Sequence, residues 1–166
     1  TLIDRATAQR IKDISVGYVG ISLDGLKDVN DKFRGKEGAY EAAMRGIENC
    51  TAVGQRVGLR FTINHHNIME LDKIFDFIEE EGINRVCFYH LVYSGRGNAM
   101  MEEDVTAQES RRAMDTIIRR TQDFEERGLE KEILTVDNHC DGVYIYLKTL
   151  REKGEAAAEH VWKHIS

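Results

Sequence analysis

The chain of 166 residues contains no proline, where average usage near 5% would give about eight. Proline-rich linkers and polyproline ligands are thereby excluded. Cysteine is almost as scarce. Cys50, Cys87 and Cys140 lie too far apart in sequence for a disulfide framework, or for the close spacing of a zinc or iron–sulfur motif, so they read as reduced thiols and no protein-only metal site is expected. No apolar run approaches the roughly 18 residues of a bilayer span, and no basic region followed by a hydrophobic stretch opens the chain. The reading is a cytoplasmic protein with no membrane partner. A stripe of one charge is missing too: 23 Lys and Arg are mixed with 29 Asp and Glu for a net charge of −6, which disfavours nucleic acid as a partner. Walker and Rossmann glycine fingerprints and the Gly-x-Ser-x-Gly elbow are all absent.

What remains is a composition of 42% hydrophobic and 31% charged residues, sufficient for one core that buries roughly 68–70% of the unfolded surface. The chain opens at Thr1, almost directly in helical pattern, and reads as a piece of something longer. Four segments share one grammar: an amphipathic helix, a glycine near its end, then a short β-rich run closing on polar residues. The runs cover 17–24, 56–64, 85–93 and 132–137, each long enough for a strand and too short for a helix. Helices are expected near 37–53, 67–81 and 106–127. Asn67 with Glu70, and Thr106 with Glu109, have capping-box spacing, while Gly82 and Gly128 suit the left-handed position after a helix. Ile68, Leu71, Ile74, Phe75 and Ile78 form one helical stripe that would face a sheet. Residues 141–165 read as two short helices broken at Gly154.

Strands alternating with helices predict parallel pairing through right-handed crossovers and an α/β fold. In such folds chemistry gathers at the carboxyl ends of the strands, so the stretches 22–25, 64–67, 90–97 and 137–141 hold the candidate site. Along the first strand Tyr18, Gly20, Ser22 and Asp24 share one face, small and polar, opposite Val19, Ile21 and Leu23. That face fits a lumen open to a ligand. The same residues also fit a plain strand end and turn, with Asp24 capping the next helix. On the second strand Arg60 stands with Gly58 and Thr62; a guanidinium there must reach solvent, one of the protein's own acids, or an anionic ligand. His65, His66 and Asn67, and then His139, Cys140 and Asp141, contain metal-type donors but match no ligand template, and polar loop roles suit them better. Ser94, Gly95, Arg96 and Gly97 place an arginine between two glycines directly after a strand, either as an anion-facing backbone or as an ordinary loop.

The segments 19–25, 31–35, 57–62, 89–97, 137–139 and 141–142 resemble, in order and over nearly the whole chain, the middle of a radical SAM enzyme. The likeness is to the tetrapyrrole-modifying group that makes haem d1, or haem from sirohaem. It implies a partial (β/α)₆ barrel of the TIM type, with about four βα units in residues 1–140, and a helical segment at 141–166 leading toward an auxiliary-cluster region. It also implies S-adenosylmethionine (SAM) and a [4Fe–4S] cluster whose cysteine ligands lie outside these residues, so that the fragment alone is inactive. By that resemblance Ser22 and Asp24 contact the SAM ribose, Arg60 the methionyl carboxylate, and the backbone near Leu91 the adenine. Arg96, His90, Tyr93 and His139 would face a tetrapyrrole substrate. A ferredoxin or flavodoxin would donate the electron. Peptide maturation on the same barrel, or a non-catalytic α/β module, are the alternatives.

Overall fold

The computed structural model describes residues 2–165, apart from the side chains of 96–99. Four strands, β1 (Val19–Ser22), β2 (Val57–Thr62), β3 (Arg85–Tyr89) and β4 (Glu132–Val136), form one sheet in sequence order, and every pairing is parallel. The helices are α1 (Arg5–Asp13), α2 (Asp28–Arg34), α3 (Ala39–Ala52), α4 (Leu71–Glu80), α5 (Ala107–Glu126), α6 (Cys140–Lys153) and α7 (Glu155–Ile165). The α/β expectation therefore holds, with α3, α4 and α5 as the crossovers.

Alternation along each strand sends Ile21, Leu59, Phe61, Val86 and Phe88 to one face, where they meet Ala43, Ile47, Ile74, Phe75, Ile78, Met114 and Phe124 from the helices. At its centre Phe75 stacks on Phe88 at 5.4 Å between ring centroids, and Phe61 and Phe124 pack around them at 5.7 and 5.8 Å. Aromatic pairs of this kind add roughly 0.5–1.5 kcal/mol beyond their buried area. The α4 stripe faces the sheet as its spacing requires: Leu71, Ile74, Phe75 and Ile78 are buried.

The helix ends bear out one capping box and revise the other. Thr106 accepts from the Glu109 N–H at 3.2 Å while Glu109 accepts from the Thr106 N–H at 2.9 Å, closing the box that starts α5. Asn67 and Glu70 form no such box. The chain enters through a 3-10 turn (Ile68–Glu70) before α4 begins at Leu71, and Glu70 instead accepts from the Leu26 N–H at 3.3 Å and from Lys73 at 2.7 Å. Gly82 and Gly128 sit just past α4 and α5 with φ of 64° and 70°. The structure adds two helical pieces that the sequence pattern does not mark: α2, and a 3-10 segment over Gly95–Glu103. Asp31 on α2 takes the N–H groups of Gly38 and Tyr40, both at 2.6 Å, and so caps α3 from seven and nine residues upstream.

Candidate functional site

The second face of the sheet carries no helix among the described residues. It is composed, in register, of Gly20, Gly58 and Arg85 as one row, Ser22, Arg60, Cys87 and Leu134 as the next, and Thr62, Tyr89 and Val136 nearest the carboxyl ends. Parallel strands are ordinarily apolar on both faces because both are covered. Here this face presents the Ser22 hydroxyl and the Arg60 guanidinium instead.

Ser22 and Arg60 are exposed neighbours on this face. No carboxylate among the described residues pairs with Arg60; the Tyr18 hydroxyl beside it, and then Tyr89, push its pKa further above the ordinary arginine value. Among the described residues the mid-strand arginine thus meets a tyrosine hydroxyl, not an acid. Tyr18 lies across Gly58 and carries the Arg85 guanidinium 4.4 Å from its ring centroid, and Arg85 reaches Glu132 at 3.1 Å. That row closes the amino end of the face.

Asp24 departs from the face it was expected to share. Its side chain is fully buried: one carboxylate oxygen accepts from the Thr62 N–H at 2.7 Å and the other from Arg34. β1 ends at Ser22, and the Asp24 side chain takes over as the acceptor that satisfies the next N–H of β2. Asn30 accepts from the Asp24 N–H at 2.9 Å, and the Asn67 amide donates to the carbonyls of Asp24 and Thr62 at 3.0 and 2.8 Å. Burial pushes the Asp24 pKa up despite Arg34. This network binds the strand ends that carry Ser22 and Arg60.

At the other end of the site His90, just past β3, bonds Asp141 at 2.9 Å through Nε2, with side chains only 10% and 6% exposed. Its Nδ1 lies 3.5 Å from the Asn138 amide, so both ring nitrogens have partners within the chain. Leu91 is half-buried in the loop that follows. Tyr93 is exposed and donates its hydroxyl to Asp104, which raises the phenol pKa. His139 is exposed at the head of α6. The Arg96 side chain lies outside the described residues. His65 and His66 face Glu109 at 2.9 Å and Glu103 at 4.0 Å, and no group of three His, Cys, Asp or Glu among the described residues is placed to hold a metal. Cys50 is buried on α3, Cys87 is buried on β3 and Cys140 is exposed at the start of α6; they do not converge, and the chain's own thiols do not fit a cluster. The pairing of Arg34 and Asn30 with Asp24, six to ten residues away, and that of His90 with Asp141, 51 residues away, carried no legible signal, since neither separation follows a helix or strand period and only the fold brings the groups together.

A hollow of about 610 Å³ lies at the amino ends of the strands among Gln55, Arg56, Glu81 and Lys131, with Tyr18, Arg85 and Glu132 on its wall, at the opposite end of the strands from Asp24 and His90. A second of about 440 Å³ runs along the free edge of β1 past Gly20, Ser22, Arg34 and Lys36. No helix among the described residues is long and apolar enough to cross a membrane.

No protein-family model matches the chain. It is 55% identical over 159 residues, 96% of its length, to the Fe-coproporphyrin III synthase of Methanosarcina barkeri. It is 41% identical over 95% of its length to the pre-heme d1 synthase of Dinoroseobacter shibae. It spans only about 40% of the length of either relative. Among solved structures, native anSMEcpe with bound AdoMet superposes with a TM-score of 0.67 at 16% identity, over 90% of this chain and 40% of that one, which shows the fold: a portion of a partial TIM barrel. Identity of this extent across nearly every residue, on four parallel βα units of that barrel, makes the chain similar to a portion of these tetrapyrrole synthases.

Proposed function

We propose that the complete protein is a radical SAM enzyme that removes or modifies acetate or propionate side chains of a sirohaem-derived tetrapyrrole. The observation that carries the reading is the open face: an arginine without an acid partner, beside a free serine hydroxyl on a glycine-floored sheet, in a chain 55% identical to a tetrapyrrole synthase. A carboxylate-bearing ligand satisfies Arg60 by a charge-assisted bond, and Ser22 offers a hydroxyl to a ribose. Asp24, already engaged, holds those two in place. The half-buried backbone at Leu91 lines the adenine. SAM, when bound, supplies a 5′-deoxyadenosyl radical; the cluster that would reduce it needs ligands these 166 residues do not provide, and the fragment alone is therefore inactive. We place an electron donor such as a ferredoxin or flavodoxin outside the chain too. Residues 1–140 form the barrel portion and 141–166 its helical continuation. Three unpaired cysteines support a reducing, cytoplasmic setting.

A tetrapyrrole with several carboxylates calls for cationic and hydroxyl groups at the rim. Arg96, Tyr93 and His139 follow the strand ends and are offered to it. His90 would reach it only by exchanging Asn138. Identity is higher to the Fe-coproporphyrin III synthase than to the pre-heme d1 synthase, which supports the former reaction over the latter. The test is a tetrapyrrole titration of the complete, anaerobically reconstituted protein. Arg96→Ala is expected to weaken tetrapyrrole binding and leave SAM affinity intact; unchanged affinity for Arg96→Ala, Tyr93→Phe and His139→Ala together would move the substrate elsewhere and favour peptide maturation.

A further inference from the structure

Gly20 lies in the middle of β1, where glycine weakens a strand because it has no side chain to pack and the most backbone freedom to lose. Its φ is not among the positive ones, so neither a turn nor a bulge accounts for it. What its missing side chain does provide is space. A Cβ placed on Gly20 would stand 2.6 Å from Nε of Arg60 and 3.3 Å from its Cδ and Cζ. The arginine therefore does not rise straight from β2; it lies over the backbone of β1, one row toward the amino end from its register partner Ser22. No main-chain atom and no core side chain is among the nearest atoms to that position.

We propose that Gly20 is a positioning residue for Arg60: the absent side chain lets the guanidinium rest against β1, where it meets the carboxylate of the bound ligand. The proposal rests on the reading of Arg60 as that ligand's carboxylate partner. The three atoms nearest to a methyl group at Gly20 all belong to the far end of the flexible, exposed Arg60 side chain, which can move aside without disturbing the fold. Alanine is no worse than glycine in a strand. The substitution thus separates the two roles that a glycine in a sheet can have: a structural glycine would cost stability when replaced, whereas a positioning glycine would cost ligand affinity alone.

The experiment is a double-mutant cycle on the complete, anaerobically reconstituted protein. SAM affinity is measured by calorimetry and stability by urea unfolding for wild type, Gly20→Ala, Arg60→Ala and the double variant. Gly20→Ala is expected to bind SAM about tenfold more weakly, as a charge-assisted bond loses its geometry, with an unfolding midpoint equal to or above wild type. In the Arg60→Ala background the same methyl should change affinity by less than about twofold. Three results would overturn the proposal. Additive losses would mean that the methyl touches the ligand directly; unchanged affinity for Gly20→Ala beside a loss in Arg60→Ala would free Arg60 from any dependence on Gly20; a lowered midpoint would show the methyl meeting packed structure. Unchanged affinity in Arg60→Ala itself would instead remove the carboxylate reading beneath it.

Discussion

The two faces of this sheet are built by alternate residues of the same four strands and could hardly differ more. Phe61 is fully buried among Phe88, Phe75 and the α3 to α5 helices, while its neighbour Arg60 lies exposed on a surface floored by glycine. One face is a packed core of buried apolar side chains. The other is a set of polar groups with few partners of their own, and a parallel sheet leaves such a face only where something else comes to occupy it. Stability and ligand binding are thus assigned to opposite sides of one backbone, and substitutions a single residue apart should report on different quantities.

Phe61→Ala should show the largest effect, a loss of about 3–5 kcal/mol in urea unfolding, a large share of the roughly 5–15 kcal/mol that a domain has in total. A loss below about 1 kcal/mol would mean that the core is not packed as described. Asp24→Ala comes next, at roughly 2–3 kcal/mol, because it strips a buried N–H and a partly buried guanidinium of their acceptor. Asp24 also carries a pH signature. Its pKa is raised above 3.8 by burial, so just above that value the folded chain keeps a proton that the unfolded chain has released. This one group therefore makes stability fall as pH rises through the window between 3.8 and its raised value, with the effect complete above it. Asp24→Asn should flatten that part of the stability profile; an identical slope in wild type and variant would refute the raised pKa.

On the open face the ordering reverses between the two readouts. Arg60→Ala should leave unfolding within about 0.5 kcal/mol of wild type, yet weaken SAM binding by the complete protein by about 1.5–3 kcal/mol, since the partner is a carboxylate. Ser22→Ala should likewise spare stability and weaken binding by about 1 kcal/mol, the net worth of one ordinary hydrogen bond. A measured loss of stability in either variant larger than its loss of affinity would collapse the distinction between the faces.

Local pattern makes most of the framework legible. The four strands appear where β-rich runs follow helix ends, although 56–64 and 85–93 extend past the observed Val57–Thr62 and Arg85–Tyr89, because apolar residues in the following loops prolong the pattern without prolonging the ladder. The short helix α2 is not legible, since seven residues give too few turns for a periodic signal. In the candidate site, Ser22 and Arg60 are readable from strand alternation. Asp24 reads on the same face and is instead buried, because β1 ends two residues before it and its carboxylate replaces the missing ladder partner of Thr62.

By itself the amino-acid sequence determined the alternation of strand and helix, the apolar face that each element would bury, and the capping of α5 at Thr106. All of these are set by neighbours within a few residues, through period and hydrogen-bond chemistry. Only the tertiary structure decided that Asp24 meets Arg34 and Thr62, that His90 closes on Asp141 across 51 residues, and that Arg60 reaches over Gly20 from the next strand. Those contacts depend on register and loop path, and a side chain finds its partner across a sheet only after the backbone on both sides has been placed.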